Sequence, residues 1–246
     1  MMSKAPEMEY GKAFTFVMED PDWIKKLGIA ALIVFVSLFG SFLLLLPTLA
    51  GFLLLAGYVI ELTRRVINGE EKPLPEWTDF GNLFMKGLFF AIAMFVYSLP
   101  SILLQICGQS GQILPALAGN SASSDTVSML ATVATVLAAC CGCLNFIYSI
   151  FIGMITPAVA GQIASKGSIG AAFDFNAVLG HLRAQPVVYL LVFLITSIGG
   201  GIIGFIGFLL CGIGLFVAIP YIMFLNGHLW GQAYRFTASK LEAPTA

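Results

Sequence analysis

Long apolar runs broken by short clusters of charge are the dominant pattern of this chain. Residues 27–60, 87–124, 126–165 and 184–234 contain no Asp, Glu, Lys or Arg. A helix needs about 20 mostly apolar residues to cross a hydrocarbon core of about 30 Å. Each run can therefore span a bilayer, and some are long enough to do so twice. Residues 27–63 are flanked by Lys25-Lys26 and by Arg64-Arg65. Because positive residues mark the cytoplasmic side, both ends belong there, which requires a hairpin. The pattern predicts helix one near 26–45, a turn over Leu46–Gly51 and helix two near 52–67. Segment three runs from Gly87 to Cys107, and the basic-free stretch 108–128 reads as an outer loop. Segment four starts near Met129 and ends around Thr156-Pro157. Residues 187–234 hold two further helices with a turn near 210–214.

The expected fold is thus all-α: a polytopic transmembrane bundle of six spans, with both termini cytoplasmic. All twelve basic residues then fall on one side, from Lys4 and Lys12 to Arg235 and Lys240. The first apolar run continues past the small residues Thr48 and Ala50, so it reads as a retained anchor and not a cleaved signal.

Composition supports this and excludes other classes. Of the 246 residues, 59% are apolar and 10% charged, with a mean hydropathy of +0.94. A soluble domain carries about a quarter charged residues. The net charge of −1 argues against a nucleic-acid partner, which needs phosphate neutralisation. The partners expected are a lipid bilayer with an anionic inner leaflet and other membrane subunits.

A threefold pattern underlies the spans. Gly11-Lys12-Ala13-Phe14-Thr15-Phe16 and Gly170-Ala171-Ala172-Phe173-Asp174-Phe175 share a G-x-A-F-x-F spacing, and Gly81-Asn82-Leu83-Phe84 is a weaker copy. Each precedes a pair of spans. In helical phase, Phe80, Leu83, Phe84 and Gly87 share a face, as do Phe175, Val178, Leu179 and Leu182. Such segments can lie in the headgroup plane. The organisation expected is a single membrane domain over 1–246. An N-terminal interfacial segment 1–25 precedes hairpin 26–67, and an interfacial helix 73–86 precedes hairpin 87–160. A second interfacial helix 168–184 precedes hairpin 187–236, and 237–246 form a tail.

Candidate chemistry is sparse. Glu61, with Arg64 and Arg65 at i+3 and i+4, reads either as a snorkelling ion pair or as a buried proton or cation site. His228, near Trp230, is an interfacial histidine or a contact to a ligand or lipid headgroup. His181 is expected to be solvated. Trp23, Trp77, Phe84, Phe173 and Trp230 are candidate interface anchors. Cys140-Cys141-Gly142-Cys143 lacks the His or acid partners that zinc sites use, so packing is the simpler reading, with a disulfide at Cys107 as the other. Gly200-x-x-x-Gly204 allows close helix approach or a glycine-lined path. Gln105, Asn145, Tyr148 and Gln162 are polar groups that bond between helices or line a substrate route. No catalytic residue, cofactor-binding residue or metal ligand set is expected.

Several of these residues fall in a recognisable order: Tyr10-x-x-Ala13-Phe14, Asp20-Pro21-x-Trp23, Gly57-Tyr58, Leu74-Pro75-Glu76-Trp77 and Gly167-Ser168-x-Gly170-x-Ala172-Phe173. In this the chain resembles the domain-of-unknown-function family 4013 over nearly its whole length. The loop 108–128 resembles it least. The resemblance implies a prokaryotic multi-pass membrane protein with no established activity or catalytic residues; the location expected is the cell's inner (cytoplasmic) membrane. The expectation is a non-enzymatic scaffold, accessory subunit or membrane-organising protein; the alternative is a transporter or channel for a small neutral or hydrophobic solute.

Overall fold

The computed structural model describes residues 7–40, 45–109, 123–210 and 212–242. Among these the chain is all helical: α1 (Lys12–Glu19), α2 (Trp23–Gly40), α3 (Leu45–Asn68), α4 (Phe80–Gly108), α5 (Ser124–Lys166), a 3-10 turn (Ile169–Phe173), α6 (Phe175–Ala184), α7 (Pro186–Leu209) and α8 (Leu215–Glu242). Helices α2, α3, α4, α5 and α7 are long and apolar enough to cross a membrane. Helix α8 is also long, but Pro220, Asn226, His228 and Gln232 interrupt its apolar run.

Local chemistry sets the boundaries. Gly69 and Gly167 sit at φ 75° and 65° just past the ends of α3 and α5, the left-handed position that glycine fills without a Cβ clash. Asp174 caps α6 by accepting the Ala177 N–H at 3.0 Å, and Pro186 opens α7 at a position whose N–H would have no helical partner.

The helices form two compact units, residues 1–93 with 154–246, and residues 94–153. In the first, α2 and α3 make an antiparallel hairpin: Thr48 Oγ1 donates to the Ser37 carbonyl at 2.8 Å. α7 and α8 form another, closed where a Cβ on Gly207 would lie 2.8 Å from Ala218 Cβ. α3 and α8 run parallel and touch closely. A Cβ on Gly227 would lie 3.1 Å from Val59 and Leu62 atoms, and one on Gly231 2.6 Å from Val66. Tyr58, Leu62, Phe224, Leu74, Trp77 and Phe16 fill the core between α1, α2, α3 and α8. Outward faces carry exposed Leu32, Phe35, Val36 and Phe39 on α2 and Leu190, Leu194, Ile198, Ile202 and Phe205 on α7, a surface suited to lipid tails.

In the second unit, α4 and α5 are tied by polar side chains. Ser101 Oγ donates to Asn145 Oδ1, and Tyr148 OH donates to the Tyr97 carbonyl at 2.7 Å. Its described surface also exposes large apolar side chains: Phe95, Leu103, Ile106, Val136, Phe146 and Ile147.

Several expected boundaries move. The first turn does not lie at 46–51, which is helical: Pro47 sits in the first turn of α3, where a missing N–H has no cost. Residues 73–86 do not form a separate helix. Phe80–Lys86 are the opening turns of α4, because the apolar face Leu83–Gly87 packs directly on α3. α5 continues through Pro157 to Lys166, 43 residues in all, and Ser124–Ser128 are helical. Of the outer loop, 110–122 lie outside the described residues, as do Cys211 in the last turn and 243–246 of the tail.

Candidate functional site

The polar residues of the first unit collect at one end, where α2 and α4 begin and α3, α5 and α8 finish. Loop 70–79 crosses this end. Its Leu74-Pro75-Glu76-Trp77 segment is clasped from both sides. Lys26, 4% exposed, sends its three ammonium protons to three acceptors: Asp20 Oδ2 at 2.9 Å, the Leu74 carbonyl at 3.1 Å and Glu76 Oε1 at 2.6 Å. An ammonium has three donors and no acceptor, so this lysine is saturated and its burial is compensated. Tyr58 OH donates to the Pro75 carbonyl at 2.9 Å. The Trp77 indole stacks on Tyr58 at 4.3 Å and donates to the Lys26 carbonyl at 3.0 Å. Burial pushes the Asp20 carboxyl up. The hydrogen bonds from Lys26 and the Asp22 N–H, with the charges of Lys26 and Lys72, outweigh that and leave it below its ordinary value.

On α3, one turn before Arg65, lies Glu61, 7% exposed. It accepts from Arg64 Nε at 2.9 Å, from Arg65 Nε at 3.4 Å and from Lys86 Nζ. The Lys86 contact depends on a close helix crossing: a Cβ on Gly57 would overlap the Leu83 carbonyl, and one on Gly87 the Leu53 carbonyl. Backbone contact between α3 and α4 at these glycines brings Lys86 against a carboxylate one turn along α3.

Two histidines are buried, His228 on α8 and His181 packed against it. His228 stacks on Phe16 at 4.1 Å and its Nδ1 lies 3.1 Å from Gln232 Nε2. His181 is not solvated, contrary to expectation. It is 5% exposed, stacks on Tyr234 at 4.3 Å and bonds Thr237 Oγ1 at 2.8 Å. The same hydroxyl lies 3.2 Å from Tyr189 OH. Burial, helped by the Lys166 charge, pulls the His181 imidazole down to about 4.

Of the expected anchors, Trp77 is buried and serves the clasp. Trp23, Phe84, Phe173 and Trp230 are half-buried, Trp230 lying 5.8 Å from the Phe90 ring. Lys26 faces carboxylates rather than headgroups, whereas Lys25 is exposed. Gly200 and Gly204 approach Ile222 without backbone contact, whereas Gly57 and Gly87 meet the backbone of the facing helix, as do Gly227 and Gly231 of α8 against α3. Gln105 is exposed, and Gln162 Oε1 and Asn226 Oδ1 are buried without a hydrogen-bond partner. Cys107, Cys140, Cys141 and Cys143 are free thiols. Among the described residues, no three His, Cys, Asp or Glu side chains converge as a metal site would need. Sequence reasoning missed the Lys26 hub. The acid six residues before it and the glutamate beside Trp77 were its available signals.

Helices of this length and hydropathy, with their polar groups gathered at one end, define a multi-pass helical membrane protein. Residues 39–212 match the family model described as "Protein of unknown function (DUF4013)", and the chain belongs to that family. No match was found among curated proteins or among solved structures.

Proposed function

We propose that this protein is a six-span component of the cell's inner membrane, both termini cytoplasmic, that acts as a scaffold or accessory subunit without catalysis of its own. In this reading α8 is the sixth span. Its polar residues Asn226, His228 and Gln232 turn toward the bundle, and its length exceeds the ~20 residues a crossing needs. One observation carries the reading. Two buried charged groups, Lys26 and Glu61, have their bonding capacity taken up by neighbouring side chains and carbonyls. Groups used this way hold elements in register; proton relays and nucleophiles need an open valence. The anionic inner leaflet is met by the exposed Lys25, with Arg183 and Lys240 at the same end.

Two experiments test this. A thiol placed at the exposed position 123 (Ser123→Cys) should be labelled by an impermeant maleimide on intact cells; labelling only after permeabilisation overturns the orientation. Solubilisation at native expression should yield a defined larger assembly, and recovery as a lone chain overturns the accessory role. A second reading, passage of a small neutral polar solute, is favoured by the unpartnered oxygens of Gln162 and Asn226. It requires solute uptake into proteoliposomes that Gln162→Leu abolishes.

A further inference from the structure

A cleft of about 310 Å³ opens at the charged end between α1, the loop after α3, and α8. His228, Gln232 and Arg235 line it along one stripe of α8, at i, i+4 and i+7. The orientation of Gln232 is set by Glu9: its Oε1 accepts the Glu9 N–H at 2.9 Å and its Nε2 donates to the Glu9 carbonyl at 3.3 Å. That Nε2 also lies 3.1 Å from His228 Nδ1, so Nδ1 is the acceptor and the ring proton is assigned to Nε2. His228 is 4% exposed and held against Phe16. Its Nε2–H is a fixed donor in a buried wall of the cleft. At the rim, Arg235 and Glu71 are exposed, and neither has an ion-pair partner among the described residues. The Arg235 guanidinium packs on the Gly69 turn, where a Cβ would lie 2.8 Å from Nη1.

The lining selects the ligand by charge. Lys12 already pairs with Glu9 at 3.7 Å and Arg65 with Glu70 at 3.7 Å, so Arg235 and Glu71 are the lining charges left to a ligand, one of each sign. A molecule carrying both signs satisfies both. Phe16, Val66 and Pro73 add apolar surface for a short carbon linker. The volume admits about ten non-hydrogen atoms, at roughly 30 Å³ for each water-sized group. We propose that this cleft binds a small zwitterion: an ammonium held by Glu71, and a phosphate or carboxylate held by Arg235 and the His228 N–H. Two sources share this chemistry, the headgroup of an ethanolamine phospholipid and a free amino acid. The inference does not depend on which side of the membrane the charged end faces.

The test is calorimetric titration of the full-length protein in phosphatidylglycerol nanodiscs. O-phosphoethanolamine should bind saturably, while inorganic phosphate and ethanolamine, each with one sign, should bind at least tenfold more weakly. Arg235→Gln and Glu71→Gln should each weaken binding at least tenfold and leave the unliganded melting temperature unchanged, since both side chains are exposed. Loss of binding in phosphatidylethanolamine nanodiscs identifies the lipid headgroup as the occupant. Retained binding there, with saturable binding of glycine, identifies a free amino acid. The proposal is overturned if phosphate or ethanolamine alone binds as tightly as O-phosphoethanolamine, if no zwitterion binds saturably, or if both variants bind like the wild type.

Discussion

Replacing Lys26 by Met keeps the length and apolar stem of the side chain but removes its charge from a site with two carboxylates in contact. Glu76 is half exposed and water can take over its solvation, so its loss is worth about 0–1 kcal/mol. The Leu74 carbonyl keeps a long bond from Arg65 at 3.5 Å. Asp20 is different. Its side chain is 5% exposed, and after the substitution the one hydrogen bond described for it is the Asp22 N–H at 2.8 Å. Stranding one member of a buried ion pair costs about 3–5 kcal/mol.

The stranded carboxylate can escape only by taking up a proton. At pH 7 that costs about 4 kcal/mol, three units above an ordinary carboxyl at 1.36 kcal/mol each, so both routes give the same size of penalty. For a chain of this length, 1 kcal/mol moves the melting temperature by about 2–4 °C. Lys26→Met should therefore melt about 6–20 °C below the wild type at pH 7, followed by circular dichroism in detergent. The sign of the pH dependence is fixed. In the wild type the Asp20 pKa is lowered, so its stabilisation is present above the unfolded value of 3.8 and lost only as pH falls through the folded one. In the variant protonation becomes cheap as pH falls, so the gap should shrink to a few degrees by pH 4.5. Asp20→Asn added to Lys26→Met should restore most of the loss at pH 7. A variant melting within 2 °C of the wild type, or equally destabilised at pH 7 and pH 4.5, would refute the hub.

Three further outcomes are expected. Gly57→Ala forces α3 and α4 apart against the Leu83 carbonyl and should cost about 1–3 kcal/mol, whereas Gly28→Ala, with open space around it, should stabilise by up to about 1 kcal/mol; equal melting shifts for the two would contradict the crossing. Tyr58→Phe removes the only donor described for the buried Pro75 carbonyl and should cost about 1–3 kcal/mol in denaturant titration, with no effect on helix content at low denaturant. His181 is held neutral to about pH 4, so the unfolded chain binds its proton first: stability is full above pH 6.5 and declines between 6.5 and 4, by about 3 kcal/mol for a shift of this size. That decline should be absent from His181→Leu, and an unchanged pH profile in the variant would exclude the assignment.

Which features were legible in the sequence follows from the kind of force that sets each. Span positions and the clustering of charge depend on hydropathy summed over some 20 residues, and that sum survives any detail of packing. The turn expected over 46–51 is helical because Pro47 falls in the first turn of α3. Within the first turn of a helix it breaks nothing. Nothing in the segment around His181 signals that it is buried. Its burial comes from Tyr189, Tyr234 and Thr237, on helices that follow it in the chain. The same is true of Lys26 and Trp77. As isolated residues beside apolar runs they carry the marks of membrane anchors. Only the return of loop 70–79 over the bundle end turns them inward.

That loop also links the two polar features of the charged end. Its first half supplies Glu70, Glu71 and Pro73 to the cleft, and its second half supplies Leu74, Pro75, Glu76 and Trp77 to the Lys26 hub. A ten-residue loop free in solution would lose about 1–2 kcal/mol of backbone entropy for each residue ordered, and a weak ligand could not recover that on binding. Here the ordering is already met by the hub, through the two ammonium bonds to Leu74 and Glu76, the Tyr58 and Trp77 bonds and the stacked rings. The cleft wall is therefore set before any ligand arrives. This gives the buried ion cluster a purpose beyond stability: hydrophobic replacements would stabilise the bundle as well, but they would not fix the loop backbone through its own carbonyls at Leu74 and Pro75.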